Sequence, residues 1–167
     1  MEGARRYFIE DSAYIVNAGN VILIGENQIH KTASIGDTAS SRIVVNFSRE
    51  YLDKIMDIFP EVDFFSFLSE EHNHLLSNIT VKQQNHIQGL LQQLLALQEE
   101  TSPESDALRK MLLATLLLEL KDLCRQQQEQ GGENGRVSNH IVDQIQAYIA
   151  EHYAEKLTLT GIASQFY

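Results

Sequence analysis

The chain has 167 residues, enough for one or two small domains with a real core. Hydrophobic residues make up 43% and charged residues 22%, which fits a globular protein and excludes a disordered one. Its 23 acidic side chains outnumber 13 basic ones, and a net charge of -10 argues against a free-standing nucleic-acid binder and against an anionic membrane surface as partner.

The N-terminus, "MEGARRYFIED", has basic residues but no apolar run behind them, so no secretory signal is read there. Residues 4–47 have the composition of strands. "RRYFIE", "AYIVNA", "VILIG" and "RIVVNF" are short and rich in β-branched and aromatic residues, and turn-forming stretches such as "AGN" and "GDTASS" lie between them. Spacing this close leaves no room for crossover helices, which predicts antiparallel pairing in part of a sandwich or barrel.

After Phe47 the apolar period changes. "SREYLDKIMDIFP" predicts a short helix with Ser48 as N-cap and Leu52, Ile55, Met56 and Phe59 on one face, ended by Pro60. "EVDFFSFLSEEHNHLLSNIT" reads as a loop with one strand at "FFSFL". Two long helices follow, over residues 81–100 and 105–128, with Pro103 in the break between them. Leu108, Leu112, Leu116, Leu120 and Leu123 line one face of the second helix. Residues 111–118 are apolar almost all round, so this helix must be covered on two sides. The first long helix covers one side, and either the β-domain or a second copy covers the other, which makes those five leucines candidate dimer-interface residues. The run "MLLATLLLEL" is too short to span a bilayer. Cys124 is the only cysteine, so no internal disulfide is possible and a reducing, cytoplasmic setting is expected.

"RQQQEQGGENGRVSN" has three glycines and many polar residues and reads as a linker. Beyond it Ile141, Ile145, Tyr148, Ile149 and His152 recur at helical spacing. "AEKLT" breaks that helix, Thr158 or Thr160 caps the next one, and Leu159, Ile162, Ala163 and Phe166 form a second stripe.

The tail "IQAYIAEHYAEKLTLTGIASQFY" resembles the start of the DNA-binding domain of AraC-type bacterial transcription regulators, through Ile145, Tyr148, Ile149, Tyr153, Leu157, Thr158, Leu159, Ile162, Ala163 and Phe166. Gly161 departs from that pattern. Upstream, "AYIVNAGNVILIGENQIH" is similar to a late segment of the cupin-like barrel that many such regulators carry. Gly19 and His30 keep the spacing of the second cupin motif, with Gly25 and Asn27 where it has Pro and Gly. The motif with two histidines one residue apart is absent from its expected place, so the chain reads as an interior segment of a regulator.

The resemblance implies an α+β chain: a partial antiparallel cupin-like β-barrel or sandwich at 1–60, a helical dimerisation region at 61–128, a linker at 129–139, and the first two helices of a helix-turn-helix domain at 140–167. It implies an effector-sensing, homodimeric regulator with no enzymatic activity, responding to a small molecule such as a carbohydrate and contacting DNA only in the full-length protein. Arg6, Tyr7, Tyr14 and His30 are then the candidate effector-pocket residues. Aromatic core packing and a surface charge are the alternative reading of the tyrosines and Arg6. No cofactor is implied. His30 stands alone on its strand, short of the three ligands a catalytic metal site needs, and Glu70, Glu71, His72 and His74 fit a solvated polar loop better than a metal site. The competing readings are a metal-dependent cupin enzyme and a partner that dimerises with related regulators without binding DNA.

Overall fold

In the computed structural model the described residues are 3–10, 12–35, 41–69, 75–130 and 140–166. The Glu70, Glu71, His72 and His74 cluster and residues 131–139 of the expected linker lie outside them.

The chain mixes helices and antiparallel strands, and among the described residues the strands form two small sheets. β1 (Arg5–Ile9) is the middle strand of the first, between β2 (Ser12–Val16) and β4 (His30–Ser34). Tyr7 stands opposite both Tyr14 and Thr32 in these antiparallel ladders. The second sheet joins β3 (Val21–Ile22) to β5 (Leu75–Leu76). β1 alternates as a half-buried strand should: Tyr7 and Ile9 are buried while Arg6 and Phe8 are exposed.

The strand expected at "RIVVNF" does not form. Residues 41–48 adopt no regular element, and Val44 and Val45 are exposed. β-propensity describes fit to a pleated surface, and this segment has no ladder to fit. The place beside β1 is taken instead by β4, "HKTAS", a strand too polar for its composition to announce.

α1 (Arg49–Met56) begins as expected, with the Ser48 hydroxyl accepting from the Tyr51 N–H at 3.1 Å. The strand expected at "FFSFL" is replaced by a helical turn, α2 (Ser66–Ser69). Asp63 explains the change. Its Oδ1 accepts from the N–H groups of Phe65 and Ser66, both at 3.0 Å, and its other oxygen accepts from the Ser66 hydroxyl. These bonds satisfy the donors of a helical start, so Phe64 and Phe67 are buried three residues apart rather than alternating.

α3 (Val81–Ala96) opens on a capping box between Thr80 and Gln83. α4 (Pro103–Glu129) is capped by Ser102 and carries Pro103 in its first turn. The proline expected to lie in the break starts the helix, because a residue there needs no N–H partner. The two helices run antiparallel: Gln83 bonds Gln126 at 3.3 Å, His86 pairs with Glu119 at 3.5 Å, and Arg109 donates to the Leu97 carbonyl at 2.8 Å.

The main core gathers Leu23, Leu52, Ile55, Phe64, Phe67 and Leu76 against Ile87, Leu90 and the α4 face formed by Leu113, Leu116, Leu117, Leu120, Leu123 and Cys124. A smaller cluster holds Tyr7, Ile9, Tyr14 and Leu75. Buried Gln127 joins α4 to β5. Its amide nitrogen donates to the Leu75 carbonyl at 2.8 Å and its oxygen accepts from the Ser77 N–H at 3.3 Å. Gln127→Ala should cost about 1–3 kcal/mol, because both backbone groups lose a partner. Gln127→Leu should cost a similar amount although it fills the space. Chemical denaturation of both variants separates bonding from packing: a wild-type midpoint for Gln127→Leu would refute the bonding role.

Three aspartates on this framework are held below the ordinary carboxylate value of 3.8. The Ser66 hydroxyl and then Lys121 act on Asp63, Lys110 acts on Asp106, and Arg125 acts on Asp122. A depressed folded-state pKa contributes stability that is complete above the unfolded value and lost as pH falls through the folded one. The melting temperature should therefore drop below about pH 4, and Asp63→Asn should flatten part of that acid limb in thermal melts. All three side chains are more than a third exposed, so solvent screening keeps each contribution small.

Past the undescribed stretch, α5 (His140–His152) and α6 (Leu159–Phe166) form a helical pair. Of the two candidate caps, Thr158 is the one used: its hydroxyl accepts from the Gly161 N–H at 3.1 Å. A Cβ at Gly161 would lie 3.1 Å from that same oxygen, so the departure at 161 leaves room for the cap. No described helix is long and apolar enough to cross a membrane.

Candidate functional site

The site is assembled on one face of β1. Side chains alternate along a strand, so Arg5 and Tyr7 share a face while Arg6 points the other way. Register adds Val16 and Tyr14 from β2 and Thr32 and Ser34 from β4 to the Arg5–Tyr7 face. Arg5 donates to Thr32 Oγ1 at 3.0 Å and reaches Ser34 Oγ at 3.5 Å. Arg42, from the irregular segment after β4, donates to the Tyr7 hydroxyl at 3.1 Å and reaches the same Thr32 Oγ1 at 3.4 Å. A cleft opens here between Arg5, Tyr7, Val16 and Arg42 and the Asn17–Asn20 turn.

Arg5 and Arg42 therefore converge on a single hydroxyl, that of Thr32. The hydroxyls of Tyr7 and Thr32 orient the Arg42 guanidinium. Among the described residues Arg42 has no carboxylate within ion-pairing distance.

The wall of the cleft contacts the helical pair. Gly19 sits at φ +85° in a turn closed by the Asn20 N–H on the Asn17 carbonyl at 3.1 Å. A Cβ there would lie within 2.9 Å of the Gln84 side-chain amide in the first turn of α3. Gln84 in turn donates to the Ile79 carbonyl at 2.9 Å. Glycine thus serves twice, accepting the left-handed backbone and letting the turn close on α3. Asn27, standing where the second cupin motif has glycine, keeps a left-handed φ of 62°, a conformation Asn tolerates better than most residues.

Of the four pocket residues expected from sequence, Tyr7 lies at the cleft with its ring in the small core. Tyr14 is buried in the same core. Arg6 is exposed on the opposite face of the strand, and His30 is exposed with Nδ1 3.0 Å from the Gln28 carbonyl. The structure brings Tyr7 together with Arg5, Thr32 and Arg42, none of which sequence reasoning selected. The two-residue period of a strand was the available signal for Arg5: a residue adjacent to Tyr7 cannot share its face. Among the described residues no three His, Cys, Asp or Glu side chains are grouped to hold a metal ion.

The five candidate interface leucines divide. Leu116, Leu120 and Leu123 are buried in the chain's own core and Leu112 packs partly against it, while Leu108 remains 46% exposed. Met111 and Leu118 are also open to solvent, 52% and 43% exposed, and with Thr115 they give α4 an outward face at residues 108, 111, 115 and 118. That spacing is the seam pattern of a helix meeting another helix.

A family model described as the AraC-like ligand binding domain matches residues 1–117, from the N-terminal segment into the middle of α4. No curated protein and no solved structure matches the chain. The match takes in the cleft, α1, α3 and the first half of α4, and covers more than half of the 167 residues. The chain belongs to the AraC-like ligand-binding domain family.

Proposed function

We propose that the chain is the effector-sensing and self-association region of an AraC-type transcription regulator. The observation that carries this reading is the physical continuity from cleft to exposed helix. A small molecule seated against the Asn17–Asn20 turn presses on Gly19, which is in contact with Gln84 of α3. α3 lies along α4, whose outer face carries Leu108, Met111 and Leu118. A ligand that fits one arrangement of this turn better than another shifts the population of α3–α4 arrangements, and requires no bond chemistry. In the cytoplasm, the full-length protein would use that shift to change how two DNA-binding domains meet two half-sites, with α5 and α6 as the first helices of that domain. A division into an effector unit, a dimerisation region, a linker and a DNA-binding start belongs to the same proposal.

The test is sedimentation of the chain at micromolar concentration with and without candidate effectors. A dimer whose dissociation constant moves with a saturating small molecule supports the proposal. A chain that stays monomeric across the range would sink the self-association half of it.

A further inference from the structure

Residues 41–48 run from the rim of the cleft to the N-cap of α1 with neither turn nor bend. Their composition is that of a strand, with Ile43, Val44, Val45 and Phe47 close together. Ile43 and Phe47 are half-buried, Phe47 against the main core, while Val44 is 60% exposed and Asn46 is open to solvent. Both ends are tied down. The Arg42 side chain bonds the Tyr7 and Thr32 hydroxyls at 3.1 and 3.4 Å, and Ser48 caps α1. Between these anchors the backbone groups of Ile43–Phe47 make no hydrogen bond to other backbone groups among the described residues. The segment is thus a straight, β-prone stretch whose ladder donors and acceptors are unused. A stretch of that kind is a template for another strand, and one already held in place has less ordering cost left when it pairs.

We propose that the occupant is the same segment of a second copy, joined antiparallel about a two-fold axis at Val45. That register sets Val45 opposite Val45, Ile43 opposite Phe47 and Val44 opposite Asn46, and a β-branched residue facing an aromatic one is a favourable cross-strand pair. Charge selects both the partner and the direction. Residues 43–47 carry no charge, so a chain of net charge -10 meets its copy here without like charges face to face. Antiparallel pairing puts Arg42 opposite Ser48, whereas parallel pairing in register would stack Arg42 on Arg42. The contact is separate from the outer face of α4 and goes beyond the self-association proposed there. So short a ladder buries less than the roughly 1,200 Å² of a stable complex, so the strand contact is the weaker of the two. With the α4 face also in use, it would join dimers into larger assemblies.

The experiment follows amide hydrogen exchange of the full chain from low micromolar to millimolar concentration, in wild type and in a Met111→Glu, Leu118→Glu double variant that blocks the α4 face. Exchange at Val44, Val45 and Asn46 should slow about tenfold or more as concentration rises, in both proteins. Val44→Lys, at an exposed position, should abolish the slowing while the melting temperature stays near wild type, because an edge lysine blocks pairing. Mild oxidation gives the register. Val45→Cys meets itself across the axis at a distance a disulfide spans, so it should cross-link readily. Val44→Cys, which faces Asn46, should link at least about tenfold more slowly. The native Cys124 is buried and does not compete. Exchange that is independent of concentration, slowing that survives Val44→Lys, or equal cross-linking of the two cysteine variants would overturn the proposal. Slowing that the double variant loses would assign the protection to the α4 face and overturn it too. Failure of the α4 face alone would leave the strand readout unchanged.

Discussion

Replacing Phe64 with alanine should cost about 3–5 kcal/mol of stability, the largest loss expected from any single core truncation in this chain. The ring is 1% exposed and sits in the cluster where α1, α2 and α4 meet, beside Leu52, Ile55 and Leu117. Its position leaves little scope for collapse after truncation. Asp63, the preceding residue, caps α2 through two backbone N–H groups and is held to α4 by Lys121, whose amine donates to Oδ2 at 2.9 Å and to the Asp63 carbonyl at 2.6 Å. The backbone on that side is therefore pinned, and the void left by the ring persists rather than closing. Phe59, whose ring centroid lies 6.1 Å away at a tilt of 56°, loses its aromatic neighbour too. A domain has only about 5–15 kcal/mol in total, so Phe64→Ala should leave a marginal fold. Phe64→Leu, which keeps most of the volume, should cost less than half as much. Denaturant midpoints with unchanged slopes would measure both. A loss below about 1 kcal/mol for Phe64→Ala would mean that the ring is not in the core.

Phe64 also marks where the sequence stops being readable. α1 was legible because its apolar stripe follows a capping residue, Ser48, and α3 and α4 because of their apolar stripes, while their caps, Thr80 and Ser102, emerge only in the structure. β1 and β2 were legible for a similar reason: β-branched and aromatic residues are concentrated within five residues. The segment holding Phe64 misleads because three phenylalanines in four residues look like a strand, whereas the competing aspartate cap is one side chain acting through three hydrogen bonds. β4 and "RIVVNF" exchange roles for a reason no local window contains. A strand needs a neighbour, and β1 paired with the polar "HKTAS". The cleft was half legible. Tyr7 could be picked out as an aromatic on a strand, but its partners Thr32 and Arg42 arrive from 25 and 35 positions away, through register and a chain reversal. The apolar width of α4 was legible from its sequence, and in the single chain its outer face at Leu108, Met111 and Leu118 stays open. Which leucines face inward depends on where α1 and α2 dock, and that is a tertiary fact.

The outward face of α4 gives the second large effect. If the chain self-associates through this face, as proposed, Met111→Glu combined with Leu118→Glu should abolish it, raising the dissociation constant about a thousandfold or more, while the chain keeps its fold. Leu108, Met111 and Leu118 are each about half exposed in the single chain, so each has apolar surface left to bury against a partner. Thr115, between them, has its hydroxyl already bonded to the Met111 carbonyl at 2.9 Å and so presents its methyl side without an unmet donor. At its C-terminal end the seam gives way to Asp122, Arg125 and Glu129, which pair among themselves and keep the rim solvated. In a two-fold interface every substitution counts twice, so the double variant brings four carboxylates toward one seam. The desolvation and repulsion of those charges, added to the lost apolar burial, exceed the roughly 4 kcal/mol that a thousandfold change represents. Because both positions are open in the single chain, its circular dichroism and melting at low concentration should stay near wild type. A polar substitution at Leu116, Leu120 or Leu123 should do the reverse and unfold the chain, since those side chains are enclosed by its own core. Sedimentation of the double variant beside wild type decides the matter: an unchanged dimer would show that the copies meet elsewhere, and a folded monomer would place the seam on residues 108, 111 and 118.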